Sequence, residues 1–385
     1  MKLPKSKNIK ADRYIAGSSS FGKKIAKIKL SANESALGPS PKAVREYNKV
    51  SKNFKRYPDP DGVSLRKILS KKFRLDPSRI ILGSGSDQIF EIICKAFIDK
   101  NDEVIVPQYS FIIYRMYSKI SGARVVYAKE KNFRVSIDNI LSCVTKKTKV
   151  VFLANPNNPT GTYIGKKDLI RLRRKLRSNI LLVIDDAYFE YVNGKDYSSG
   201  LKLFSNSKNV VITRTFSKIY GLAGLRVGWG YSSKRIIKVL NQLKPPFNVS
   251  RPALFAASAA VTDTTWLKKE VNHVNKWSKK MFEIFKKLKI ETNKSSANFL
   301  LINFNKLNIS SKKVFQDLAK SGILLRKMDI YGIKNSLRVT IGKSKENIKL
   351  DWKQDFGKQY TGMELNLPPA ITSKVKSKVY GPTHI

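Results

Sequence analysis

The chain has 385 residues, of which 42% are hydrophobic and 27% charged, with two cysteines and 75 Lys plus Arg against 28 Asp plus Glu. This length and balance provide for one large globular unit of two subdomains and exclude a disordered chain. The net charge of +47 invites a nucleic-acid or anionic-surface partner. However, the lysines are spread in pairs such as Lys23-Lys24, Lys146-Lys147 and Lys312-Lys313, with no long basic block and no zinc-finger or RNA-binding signature.

The lysine-rich first thirty residues contain no apolar signal region, so no secretory signal is expected there. Further on, short β-rich runs at 79–82, 103–106, 124–127, 149–154, 180–184 and 209–213 alternate with amphipathic stretches. Several are apolar throughout rather than alternating, as in strands covered on both faces of a mainly parallel sheet. The helical pattern Ile89, Ile92, Ile93, Ala96 and Phe97 follows the first run, and such alternation predicts an α/β fold. The nearly apolar stretch 252–261 is too short to cross a bilayer, so no membrane partner is expected. After about Thr264 the spacing predicts a long helix over 266–288, a strand over 298–304, a helix over 312–321 and short strands near 323–326 and 336–341. These form a smaller α+β part. The tail 351–385 is punctuated by Pro and Gly, lacks an apolar period and is expected to pack poorly. Cys94 and Cys143 lack the spacing of a metal site or redox pair and read as buried free thiols. A cytoplasmic protein with no metal is expected.

Four clusters fall after predicted strands, where open α/β sheets place their ligands. Gly83-Ser84-Gly85-Ser86-Asp87 opens a helix, and its small residues let backbone N–H groups face an anion. A plain turn with a helix cap would also account for it. Asn155-Pro156-Asn157-Asn158-Pro159-Thr160-Gly161 forces a turn and by itself says no more. Asp185-Asp186-Ala187-Tyr188 ends an apolar strand, where a carboxylate is costly to desolvate without a cation unless the segment is a surface turn. Thr213-Arg214-Thr215-Phe216-Ser217-Lys218 precedes Arg226 by eight residues and is followed by Gly221, Gly224 and Gly228. A desolvated lysine beside other cations becomes a nucleophile toward carbonyls.

Together with Asn33-Glu34, Leu37-Gly38, Arg56-Tyr57-Pro58, Pro107-Gln108-Tyr109 and Leu337-Arg338-Val339-Thr340-Ile341-Gly342, these clusters run in order from about Leu30 to Ile341. The sequence resembles the fold-type I pyridoxal-5′-phosphate (PLP) aminotransferases and, within them, the histidinol-phosphate aminotransferase family. The resemblance implies a large domain with a mainly parallel seven-stranded sheet plus a smaller α+β domain. Its divisions are an N-terminal arm with part of the small domain over 1–45, a large PLP-binding domain over 46–260 and a small domain over 261–350. It implies Lys218 as the Schiff-base lysine and proton carrier, Asp185 as partner of the pyridine nitrogen, and Tyr188 and Asn158 at the 3-hydroxyl oxygen. Tyr109 would stack on the ring. Ser86, the backbone of Asp87, Thr215, Ser217 and Arg226 would hold the phosphate, with the Asp87 carboxylate turned away. Tyr57 would reach the neighbouring subunit's cofactor in a homodimer. Arg338, with Arg326 as a second cation and Asn33 beside them, would bind the substrate.

The implied reaction joins histidinol phosphate and 2-oxoglutarate, as in histidine biosynthesis. An aromatic amino-acid aminotransferase on the same scaffold remains open, and a decarboxylase of a phosphorylated amino acid stands further off. A DNA-binding regulator would need a helix-turn-helix ahead of the fold, and only about thirty residues precede Asn33. The chain departs from its relatives at Ser35-Ala36, where many read Asn-Pro, and in the tail.

Overall fold

The computed structural model describes residues 11, 14–17, 19–22, 24–50, 53 and 55–350. The tail 351–385, expected to pack poorly, lies outside the described residues.

A seven-stranded sheet forms the centre, in the order Ile80–Gly83, Gly228–Tyr231, Val210–Thr215, Leu181–Asp185, Thr148–Ala154, Glu103–Pro107, Arg124–Ala128. All strands run parallel except Gly228–Tyr231, which is antiparallel to both of its neighbours. Six of the seven follow the apolar runs of the sequence to within a residue or two. The seventh, Gly-Trp-Gly-Tyr, has no aliphatic run to mark it.

Period-two alternation gives each strand two lives. In Thr148–Ala154, Val150, Phe152 and Ala154 join a cluster with Ile89, Phe90, Ile112 and Tyr114 on one face. Val151 and Leu153 join Leu65, Leu69, Leu169 and Leu172 on the other. Both faces are therefore covered by helices, and the uninterrupted apolar run is the consequence. Phe152 has no exposed surface, and truncating it to Ala is expected to cost about 3–5 kcal/mol.

The second sheet is antiparallel, in the order Glu291–Thr292, Phe299–Asn303, Ser336–Thr340, Arg326–Lys327. The predicted strand near 323–326 divides into two short ones. Ile323–Leu324 pairs in parallel with Ile28–Lys29, which ties the N-terminal segment to this part of the molecule. The helix Thr264–Lys287 starts at Asp263, whose side chain accepts from Trp266 N (3.3 Å). It buries Glu270, Val274, Ser278, Met281 and Phe285, a stripe at steps of three and four residues. Of the two thiols, Cys94 is buried, whereas Cys143 is only half-buried, contrary to expectation, because it lies just past a helix end. Among the described residues no helix is long and apolar enough to cross a membrane.

Candidate active site

The carboxyl ends of the large-sheet strands open onto a cavity of about 390 Å³. Its lining includes Ser86, Asp87, Asn158, Asp185, Tyr188, Thr215, Ser217, Lys218 and Arg226 from the large-sheet side. Asn33, Arg326 and Arg338 also line it. Residues spread over some three hundred positions of sequence thus meet in one place.

Asp185 is the last residue of its strand and points, with Leu181 and Val183, to the face that carries Tyr114. Its Oδ2 accepts from the Tyr114 hydroxyl (2.7 Å) and its Oδ1 from the Thr213 hydroxyl (3.2 Å). Burial pushes its carboxyl up to about 7, and the two hydroxyl donors oppose that rise. Asp186, one residue on, turns to the opposite face. There it pairs with Arg214 (3.5 Å) and accepts from Gly200 N and Leu201 N. Both aspartates are buried, so the surface-turn reading of this cluster falls away.

Lys218 lies in a loop closed by hydrogen bonds from Gly221 N to Lys218 O, from Leu222 N to Phe216 O and from Phe216 N to Val227 O. Gly221 has φ 68°, and a Cβ there would strike the carbonyl of Gly38, so the loop requires glycine at this point. The Lys218 Nζ sits 3.4 Å from Ala32 O and 5.8 Å from the centre of the Tyr188 ring. Burial, followed by the nearby Arg338, lowers its ammonium to about 8.

At one end of the cavity the helix Gly85–Phe97 presents its first turn. Gly85 has φ 76°, and any Cβ there would meet the Arg226 guanidinium, so the small residue makes room for a cation. Arg226, itself at φ 52°, donates to Ser217 Oγ (3.1 Å) and to Asp87 Oδ2 (3.0 Å). The Asp87 carboxylate was expected to turn away; instead it faces into the site, because Arg226 and Lys218 draw it there. Burial raises its carboxyl, and Arg226 is the first of the opposing influences.

At the other end two arginines stand on adjacent antiparallel strands, with Arg326 and Arg338 as direct Cα partners. Arg338 donates to Asn158 Oδ1 and Ser31 O, while its buried Nε has no hydrogen-bond partner. Arg326 donates to Ile15 O, and burial lowers its guanidinium. Asn33, at φ 54°, donates to the Tyr188 hydroxyl (3.1 Å) and is held by Thr340 Oγ1 (2.9 Å). Burial lifts the Tyr188 phenol to about 12.

Two expected residues stand apart from this cavity. Tyr109 is not among its lining; its ring packs on Phe133 (5.6 Å), and its N–H is taken by the half-buried Glu130 (3.0 Å). Phe111, two residues on, reaches the wall instead. Tyr57 is 80% exposed and stacks on Phe247 (4.6 Å) in a separate groove with Lys55, Arg56, Arg226 and Arg251. The sequence did not mark Phe111, Tyr114 or Tyr331, and it placed Thr213 in the Lys218 cluster without its bond to Asp185. Tyr114 reads in sequence only as another apolar position of an amphipathic helix, and nothing there distinguishes it. Among the described residues no cluster suited to a metal ion occurs.

Residues 25–350 match the family model for aminotransferases of class I and II. The chain is 52% identical over 350 residues to the histidinol-phosphate aminotransferase of Pelagibacter ubique (strain HTCC1062), spanning 91% of this chain and 97% of that one. To the histidinol-phosphate aminotransferase of Paramagnetospirillum magneticum (strain ATCC 700264 / AMB-1) it is 42% identical over 335 residues, 87% and 92% of the two chains. The crystal structure of the Sinorhizobium meliloti histidinol-phosphate aminotransferase in complex with pyridoxal-5′-phosphate superposes with a TM-score of 0.79. That match has 24% identity, covers 84% of this chain and 89% of that one, and shows a common fold. The expected fold class, α/β with a mainly parallel seven-stranded sheet, is therefore the fold observed, and the chain belongs to the class I and II aminotransferases and, within them, to the histidinol-phosphate aminotransferase family.

Proposed function

We propose that the chain is a PLP-dependent transaminase that interconverts L-histidinol phosphate plus 2-oxoglutarate and imidazole-acetol phosphate plus L-glutamate. The observation that carries this reading is the placing of Lys218 in one cavity between a cation-free carboxylate, Asp185, and a cradle of hydroxyls with Arg226. This donor set fits the cofactor. Ser86, Thr215, Ser217 and Arg226 would hold its phosphate, Asp185 its ring nitrogen, and Asn158 with Tyr188 its 3-hydroxyl oxygen. When bound, PLP supplies an electron sink that no side chain offers. Lys218, held near 8, has the basicity to take and return the proton at the substrate's α-carbon near neutral pH. Arg214 and Asp186 occupy the far face and take no part.

For the substrate, Arg338 and Arg326 form a pair of guanidiniums, and the unpartnered Nε of Arg338 leaves a donor for an anion. A carboxylate and a phosphate match the same planar fork, so one site can serve glutamate and histidinol phosphate in turn. Asn33 lines the same cavity, donates to Tyr188 and would orient the substrate. We also read the enzyme as a cytoplasmic homodimer with the domain division given above. The pairing of Ile28–Lys29 with Ile323–Leu324 supports assigning part of the N-terminal arm to the small domain. Tyr57 supports the dimer, since its exposed ring stands with Phe247 beside a basic groove that borders Arg226.

The test is to load the protein with PLP and offer single amino donors while following the visible band of the cofactor. Histidinol phosphate should exceed phenylalanine or tyrosine in kcat/KM by at least roughly tenfold, about 1.4 kcal/mol. Equal or better use of an aromatic amino acid would move the assignment to an aromatic aminotransferase. Arg338→Lys should damage both half-reactions, because one ammonium cannot copy the fork. For the dimer, mixing inactive Tyr57→Phe and Lys218→Ala homodimers should restore some activity. No recovery after verified subunit exchange would mean that each site is built within one chain.

A further inference from the structure

Asp185 reaches the cavity with no cation of its own: the groups against it are hydroxyls. Tyr114 comes from the helix Ile112–Ile120 and donates to Oδ2 (2.7 Å), and Thr213 comes from the neighbouring strand and donates to Oδ1 (3.2 Å). Asp87 and Tyr188 also act on this carboxylate, as does Asp186 through space from the opposite face, and the two aspartates oppose its ionisation. The Tyr114 ring is held on every side. It stacks on Phe152 (5.1 Å, 4° between planes) and meets Phe90 and Phe111 edge-on (5.0 and 5.7 Å). It has no exposed surface, and its main-chain carbonyl accepts from Ser118 Oγ (2.7 Å). A phenol so enclosed keeps its proton and can only donate toward an anion.

We infer that Tyr114, with Thr213 on the other oxygen, is a positioning residue that holds Asp185 as an oriented anion ready for the protonated ring nitrogen of the cofactor. The inference rests on the cofactor reading above and extends it to residues outside the expected set. A hydrogen bond to the charged form of an acid favours that form. Without the phenol, Asp185 should hold its proton to higher pH, and a neutral Asp185 offers the ring N–H⁺ no ion pair. Its burial already brings its titration to about 7, so the loss falls in the working range.

The experiment titrates PLP into the apoprotein from about pH 6 to 8.5, with binding read by tryptophan fluorescence. Tyr114→Phe keeps the ring and its aromatic contacts and removes one oxygen. It is expected to weaken PLP binding roughly tenfold at pH 7, about 1.4 kcal/mol, and to move the acid limb of the affinity curve to higher pH. Phe152→Leu loosens the ring stack and leaves the hydroxyl; it should leave that limb in place. If Phe152→Leu moves the limb as far as Tyr114→Phe does, the role is packing and the inference is overturned. Should Tyr114→Phe fail to fold, Thr213→Val reaches the same carboxylate from its other oxygen and should shift the limb in the same direction by less. An unmoved limb would then count against the hydroxyl pair. Wild-type protein that binds no PLP would instead overturn the cofactor reading, so the two failures are distinguishable.

Discussion

The two faces of the large sheet carry neighbouring carboxylates in opposite company. On one face Asp185 meets two neutral hydroxyls and opens onto the cavity. On the other, Asp186 meets Arg214, two backbone N–H groups and no cavity. Arg214 is sealed beneath aromatic rings, with its Cζ 3.5 Å from the centre of Phe189 and 4.7 Å from that of Phe73. One charge is satisfied internally and holds structure; the other is left without a cation and is available to a ligand. Period-two alternation alone sorts them, since Thr213 follows Asp185 to one face and Arg214 follows Asp186 to the other.

The largest expected effect separates the faces by activity. Asp185→Asn should reduce kcat by roughly 10³–10⁵, about 4–7 kcal/mol, while the apoprotein melts no lower than wild type. An Asp186→Asn variant that lost more activity would reverse the assignment. The second effect separates them by stability. Asp186→Asn leaves Arg214 buried without its anion, and chemical denaturation should show a loss of about 3–5 kcal/mol.

The third prediction concerns pH. The Asp185 carboxyl is held near 7 in the folded chain and titrates near about 3.9 when unfolded. The folded state thus binds the proton more tightly, and ionisation costs it stability. That contribution is fully present below about pH 4 and is lost as pH rises to about 7. The apoprotein's melting temperature relative to Asp185→Asn should therefore fall across this window and level off above it. A flat difference would mean that Asp185 is not desolvated. The smallest effect is expected at Tyr109, whose ring lies outside the cavity. Tyr109→Leu, which removes the ring, should change kcat/KM by less than about threefold, roughly 0.6 kcal/mol. A larger loss would bring that ring back to the cofactor.

Much of this was legible in the sequence, and the reasons differ by residue. Strands such as Thr148–Ala154 announce themselves because burial on both faces requires an apolar residue at every step. Lys218, Asp185 and Arg226 stand out because charged groups at strand ends need a purpose. Gly228–Tyr231 stayed hidden, since two of its four residues are glycine and its membership in the sheet depends on partners far away. Tyr114 was invisible for another reason: its ring obeys the core pattern of its helix, and only its oxygen does otherwise. The inward turn of Asp87 depends on Arg226, 139 positions away in the chain.

The antiparallel strand has a consequence for the order of assembly. Among the described residues, Ile80–Gly83 lies at the sheet edge with Gly228–Tyr231 as its only strand neighbour, about 145 residues further along the chain. Closing so long a loop delays that contact in folding, whereas the parallel neighbours between residues 103 and 215 can form earlier. During synthesis Ile80, Ile81 and Leu82 emerge early and must wait, with an apolar edge uncovered, for residue 231 to leave the ribosome. The helix start at Gly85 and Arg226 flank these two strands, so the anion cradle proposed there must await that late pairing. A nascent chain released short of that strand would lack the proposed cradle.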